Sequence, residues 1–112
     1  MNNTVSLTLG NLTFTLDASD EKQLFKDLAH INEIFGHTKC GKCGSEDLSF
    51  VVRSDDDGND YYELKCNKCG AKFKFGQAKK GGTLFPKRKD ADGNWLNDGG
   101  WLKYNKNTGK EE

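Results

Sequence analysis

Cys40-Gly41-Lys42-Cys43-Gly44 and Cys66-Asn67-Lys68-Cys69-Gly70 repeat one pattern, C-x2-C-G, with 22 residues between the pairs. Two thiolates separated by two residues on a tight turn point their sulfurs at one cation, and a second such turn completes a tetrahedron. The glycine after each pair permits the backbone conformation that aims amides back at the sulfurs. Whatever else this chain does, it must bring the two turns together. In 112 residues that are 34% apolar and 30% charged, one large core is not expected. A staple of this kind supplies what the core cannot. Size alone excludes a large enzyme with its own cofactor fold.

The context favours metal over disulfides. There is no run of roughly 18 apolar residues, so no membrane span is expected. Met1-Asn2-Asn3-Thr4 lacks a basic stretch followed by an apolar block, so no secretory signal is expected either. The expected setting is the reducing cytoplasm, where paired cysteines bind metal more often than they form disulfides. Two matched pairs also argue against a lone redox dithiol. His37 stands close enough in sequence to replace a thiolate, but four thiolates already fill the shell. The expected cofactor is a single structural zinc ion, with no open position for a catalytic water.

Between the pairs, Leu48 to Arg53 reads as a strand, Ser54 to Asp60 as an acidic turn and Tyr61 to Lys65 as the returning strand. Ala71-Lys72-Phe73-Lys74-Phe75 alternates strictly and reads as a third strand. A hairpin between two cysteine knuckles resembles the zinc-ribbon superfamily, over about residues 38–76. That resemblance implies Cys40, Cys43, Cys66 and Cys69 as ligands. Its members include many small nucleic-acid-binding and transcription or replication modules, so it speaks to the metal and leaves the function open.

Ahead of the ribbon, residues 1–37 read as a hairpin and a helix. Val5, Leu7 and Leu9 alternate with hydroxyl residues, as do Leu12, Phe14 and Leu16, around a Gly10-Asn11 loop. Ser19 is a candidate helix cap, and Leu24, Leu28, Ile31 and Phe35 recur at helical spacing, joined by Phe25 and Ile34, until Gly36. The stripe is expected to cover the hairpin, which is not stable alone. His30 falls off the stripe, on the surface. The fold class is therefore α+β, with a basic tryptophan-bearing extension at residues 77–104 and a disordered tail at 105–112.

Charge is divided along the chain. Residues 1–64 carry 5 Lys and Arg against 12 Asp and Glu, and residues 65–112 carry 12 against 5, although the total is zero. Lys65 to Lys89 contains nine basic residues and no acidic one. Such a segment attracts polyanions whatever the net charge. Lys72, Lys74, Lys79, Lys80, Lys87, Arg88 and Lys89 are interleaved with Phe85, Trp95 and Trp101, the pairing of phosphate-following cations with base-stacking rings that single strands require. Phe73 and Phe75 read as ribbon core. The two tryptophans, in the echo Asp92-Gly93-Asn94-Trp95-Leu96 and Asp98-Gly99-Gly100-Trp101-Leu102, divide evenly between packing and stacking.

Other motifs fail on a required residue. Gly76 to Thr83 has phosphate-loop spacing, but Gly82 stands where the lysine is needed. Asp55-Asp56-Asp57-Gly58 and Asp90-Ala91-Asp92-Gly93 place Arg53 and Arg88 at the first position of a calcium loop, so both read as turns. No serine–histidine–carboxylate arrangement is present. The acidic ribbon turn is too mobile a place for a nuclease's magnesium.

The function expected is non-catalytic binding of single-stranded nucleic acid, DNA before RNA. The alternative is an adaptor or inhibitor whose acidic N-terminal half docks on a replication, transcription or defence enzyme, with homodimerisation through opposite charges as a lesser form. The segments Leu84-Phe85-Pro86-Lys87-Arg88, Gly93-Asn94-Trp95-Leu96 and Gly100-Trp101 are similar to small uncharacterised bacteriophage proteins, several of which sit among replication and recombination functions. That similarity would place the chain in a host cytoplasm and assigns no site residue.

Overall fold

The computed structural model describes residues 3–112. They divide into a first unit that ends at Thr38 and a second that spans Lys39–Glu112. Among the described residues the class is α+β, with one α-helix and antiparallel strands.

In the first unit, β1 (Asn3–Leu9) and β2 (Leu12–Ala18) pair antiparallel, with Leu9 opposite Leu12. The loop between them has Gly10 at φ +58 and no positive φ at Asn11, the pattern of a II′ turn, which suits strand twist. The helix α1 spans Glu21–Phe35. Its cap is Asp20 and not Ser19: the Asp20 carboxylate accepts from the Gln23 amide at 2.7 Å. Asp20 prevails because the acceptor must stand three residues before the amide it satisfies. Ile34 is buried, and the Phe14 and Phe35 rings meet at 5.1 Å. Phe25 does not join the stripe and is 76% exposed, because one residue beyond Leu24 turns the side chain about 100° away.

The second unit is built on a five-stranded sheet. β3 (Leu48–Ser54), β4 (Asp60–Cys66), β5 (Lys72–Gln77) and β6 (Leu84–Pro86) follow one another as antiparallel neighbours. β7 (Trp101–Leu102) pairs with Lys72 and Phe73, so β6 and β7 lie end to end along one edge of β5. Between them the chain loops out through a short 3-10 turn, Asn97–Gly100. Gly100, at φ +112, closes the loop where a Cβ would lie 2.6 Å from the Lys87 carbonyl oxygen. No larger residue fits there.

Alternation sorts the side chains of this sheet. Leu64, Cys66, Phe73, Phe75 and Trp101 share the buried face. Phe73 packs against Phe75 at 5.2 Å and against Trp101 at 5.6 Å between ring centroids. The opposite face carries Arg53, Tyr61, Glu63, Lys65, Lys72, Lys74 and Phe85, as the registers Arg53↔Tyr61, Lys65↔Lys72, Glu63↔Lys74 and Gly76↔Phe85 require. The basic segment therefore adds strands to the sheet begun by β3 and β4.

The tail differs from expectation. Residues 105–112 carry no apolar periodicity, yet β8 (Tyr104–Asn105) pairs with β9 (Lys110–Glu111). Lys103 and Glu112 exchange backbone bonds beyond them. The hairpin is held by backbone pairing, a turn and the ion pair between Lys74 and Glu111 at 2.7 Å, none of which a hydrophobic pattern reveals. Among the described residues no helix is long and apolar enough to cross a membrane.

Candidate metal centre and basic face

The two C-x2-C turns are built alike. In the first, the Gly44 amide donates to the Cys40 carbonyl at 2.9 Å and the Lys42 amide to Cys40 Sγ at 3.3 Å. In the second, the Gly70 amide donates to the Cys66 carbonyl at 2.9 Å and the Cys69 amide to Cys66 Sγ at 3.4 Å. Gly44 and Gly70 both have positive φ, +76 and +82. After Gly70 that conformation brings the Ala71 amide to the Cys69 sulfur, and a side chain at either glycine would be strained.

The four sulfurs of Cys40, Cys43, Cys66 and Cys69 lie within 4.8 Å of one another. Cys40 and Cys69 are 3.6 Å apart, as are Cys43 and Cys66, and all four cysteines are free. A tetrahedron with metal–sulfur bonds of about 2.3 Å has edges of about 3.8 Å, so this spacing fits one metal ion. His37 is not among the four. Its Nε2 donates to the Glu33 carbonyl at 2.8 Å, closing the helix end in the first unit.

Electrostatics also call for a cation. The Cys69 amide, and behind it the Lys68 amide and the neighbouring thiols, hold the Cys66 thiol down at about 6 against the pull of burial. The Ala71 amide lowers Cys69, but burial and the other three thiols outweigh it and push Cys69 up to about 11. The first proton leaves easily and a later one reluctantly, because burial and the hydrogen bonds among the sulfurs hold it. A divalent ion at the centre removes that penalty.

The first knuckle is clamped by the C-terminal extension. Trp101 is buried against it, close enough that a Cβ on Gly41 would lie 2.4 Å from the indole Cδ1. Lys42 forms an ion pair with Asp98 from the turn just before Trp101. Trp101 therefore packs and is removed from the stacking set, since its ring is enclosed by Phe73 and Gly41. Neither contact is readable from the cysteine spacing.

The remaining basic and aromatic candidates fall into three places. Phe85, Lys87, Arg88, Lys89 and Trp95 line one open cleft of about 620 Å³. There Trp95 is 69% exposed, and Lys89 Nζ lies 4.6 Å from its ring centroid, a cation–π pair that orients the indole. Lys72 and Lys74 lie on the outer sheet face, engaged by Glu63 at 3.6 Å and Glu111 at 2.7 Å. Lys79 and Lys80 are exposed in the β5–β6 loop, which the Ala78 amide closes onto the Thr83 carbonyl, and do not line the cleft.

The aspartate-rich turns are loop closures. The Asp55 carboxylate accepts from the Asp57 and Asn59 amides at 3.0 and 2.9 Å, and the Asp90 carboxylate from the Asp92 and Asn94 amides at 2.9 and 3.0 Å. The Asn59 amide, then the Tyr61 hydroxyl, hold the Asp55 carboxyl below its ordinary range.

Three residues of the outer face were not singled out from sequence: Arg53, Tyr61 and Glu63. Alternation in the β3–β4 hairpin puts them on the face away from Val52 and Leu64, a signal present in the sequence. Their importance appears only once β5 is seen to deliver Lys72 and Lys74 beside them. Comparison with protein-family models, curated proteins and solved structures gives no match for this chain.

Proposed function

We propose that the chain is a zinc-stabilised protein that binds single-stranded nucleic acid without chemistry of its own. One observation carries the reading: the cleft that gathers Lys87, Arg88 and Lys89 around the exposed rings of Trp95 and Phe85. Cations spaced along a groove follow phosphates, and rings beside them stack bases, each stack worth about 1–3 kcal/mol. Cys40, Cys43, Cys66 and Cys69 would hold the zinc. Four thiolates close its shell, so the ion supplies folding free energy to the knuckles and no reactive water.

A second reading, docking on a protein, is favoured by β3. This strand ends the sheet order, and Phe50 and Val52 on it are 56% and 60% exposed. An exposed edge with apolar side chains accepts an added strand.

Tryptophan fluorescence during titration with a single-stranded oligonucleotide separates the two. With Trp101 buried, a change in emission reports Trp95. Quenching that fades with salt, at a log–log slope near 0.7 per phosphate, supports stacking in the cleft. Trp95→Ala should then weaken binding by about 1–3 kcal/mol. No response to single strand or duplex at low salt removes the reading and leaves the salt-insensitive docking edge.

A further inference from the structure

Glu63 is a buried carboxylate in the middle of a cationic face. It is 3% exposed, its Oε1 accepts from Arg53 Nε at 2.8 Å and lies 3.6 Å from Lys72 Nζ, and its Oε2 has no hydrogen-bond partner among the described residues. Burying a carboxylate with one oxygen unsatisfied costs stability, and an apolar residue facing Val51 and Lys74 would avoid that cost. What the carboxylate does supply is orientation. Its bond to Arg53 does not use the terminal nitrogens, the ends that grip phosphate, and the guanidinium carbon is held 5.0 Å from the centroid of the Tyr61 ring. Lys72 is drawn toward the same point from β5.

This face is continuous with the cleft. Phe85 lines the cleft and also lies over Gly76, where a Cβ would be 2.3 Å from its ring. Phe85 and Tyr61 are 48% and 40% exposed. Between the strands that carry Phe85 and Arg53 lie three interstrand spacings, about 14 Å. The registers set Arg53, Tyr61, Gly76 and Phe85 in one row across those strands, so the two rings flank Gly76, with Glu63 and Lys74 in the next row and Lys72 in the row beyond.

We propose that the bound strand continues from the cleft across the outer face of the sheet, and that Glu63 is a positioning residue that aims Arg53 and Lys72 at its phosphates. The proposal rests on the nucleic-acid reading above and extends it to a second, independently removable surface. It carries an outcome that plain electrostatics opposes. Replacing Glu63 by glutamine removes a negative charge from a cationic face, which should tighten binding of a polyanion if charge alone matters. If positioning matters, the same change weakens it.

The test uses the full-length, zinc-loaded chain and oligothymidylate, with affinity measured across salt concentrations for the wild type, Arg53→Ala, Glu63→Gln and Trp95→Ala. Loss of one phosphate contact lowers the salt slope by about 0.7 and weakens binding about fivefold at 0.1 M salt. Arg53→Ala should show that loss, and Glu63→Gln at least as much, with metal content unchanged. If Trp95→Ala weakens binding while both sheet-face variants keep the wild-type affinity and slope, this proposal falls and the cleft reading stands. Tighter binding by Glu63→Gln overturns the positioning role. Failure of the wild type to bind at low salt overturns both readings. Should Glu63→Gln not fold, the half-exposed Arg53 decides through its own slope.

Discussion

The indole of Trp101 lies against the backbone of Gly41 with no room for a methyl group between them: a Cβ at position 41 would meet Cδ1 at 2.4 Å, Cγ at 2.7 Å and the Trp101 Cβ at 2.9 Å. The two residues are far apart in sequence, one inside a cysteine knuckle and the other at the start of β7. Their contact makes the C-terminal extension part of the support of the candidate metal centre. Gly41→Ala should force the indole out of its seat against Phe73, an overpacking that costs about 1–3 kcal/mol. For a unit of this size each kcal/mol lowers the melting temperature by about 4–8 °C. Thermal melting of the metal-loaded protein checks this, and an unchanged midpoint would show that the knuckle moves aside freely. Trp101→Ala should cost more, about 3–5 kcal/mol, because it empties a fully packed site.

Metal removal tests the centre itself. Chelation at neutral pH should abolish the ordered second unit, because the sulfurs lose the ion that offsets their repulsion and little apolar core remains to hold the sheet. Cys66→Ser should have the same effect, since Cys66 anchors β4 as well as the cluster. Metal analysis should return one ion per chain for the wild type. Retention of the far-ultraviolet strand signal after chelation would mean that the sheet stands without it.

The parts legible in the sequence are those with a short-range signature. The knuckles could be read from spacing, the hairpins from alternation around Asp-Gly and Gly-Asn, and the helix from the recurrence of Leu24, Leu28, Ile31 and Phe35. What escaped was decided at long range. The echo around Trp95 and Trp101 gave the two tryptophans the same local context, yet one is 69% exposed and the other 5%. Trp95 follows a hairpin turn that projects it, whereas Trp101 follows the Asn97–Gly100 turn that returns the chain to the edge of β5. Only the sheet order separates these fates. Glu63 looked like one of many acidic groups in a −7 half, and its burial depends on β5 bringing Lys72 and Lys74 beside it. The terminal hairpin escaped because backbone pairing and one ion pair hold it without an apolar pattern.

Asp55 and Asp90 offer a matched pair of turn variants with different expected consequences. Each carboxylate accepts two backbone amides at 2.9–3.0 Å in a D-x-D-G-N turn. Asp55 also accepts from Asn59 Nδ2 at 3.2 Å and from the Tyr61 hydroxyl at 2.9 Å. Alanine removes bonds worth about 0.5–1.5 kcal/mol apiece, so Asp55→Ala should lose more stability than Asp90→Ala. Asp90→Ala should weaken oligonucleotide binding more than Asp55→Ala, because the Asp90 turn sets the Lys89–Trp95 bridge beside the cleft, whereas Asp55 reaches the sheet face only through the Tyr61 hydroxyl. Equal binding losses in the two variants would detach Trp95 from the site.

Glu111 predicts a gain. Its carboxylate occupies Lys74 Nζ at 2.7 Å, with both side chains more than a third exposed. An ion pair in that setting contributes about 0–1 kcal/mol to stability, so Glu111→Gln should leave the melting temperature nearly unchanged. Binding should respond more strongly. A freed Lys74 adds one phosphate contact on the sheet face, which steepens the salt slope by about 0.7 and tightens binding about fivefold at 0.1 M salt. Lys74→Gln should abolish that gain when combined with Glu111→Gln, since without the lysine the acid has nothing to withhold. A Glu111→Gln protein that binds no more tightly, with an unchanged slope, would place Lys74 outside the path of the strand and confine the contacts on this face to Arg53 and Lys72.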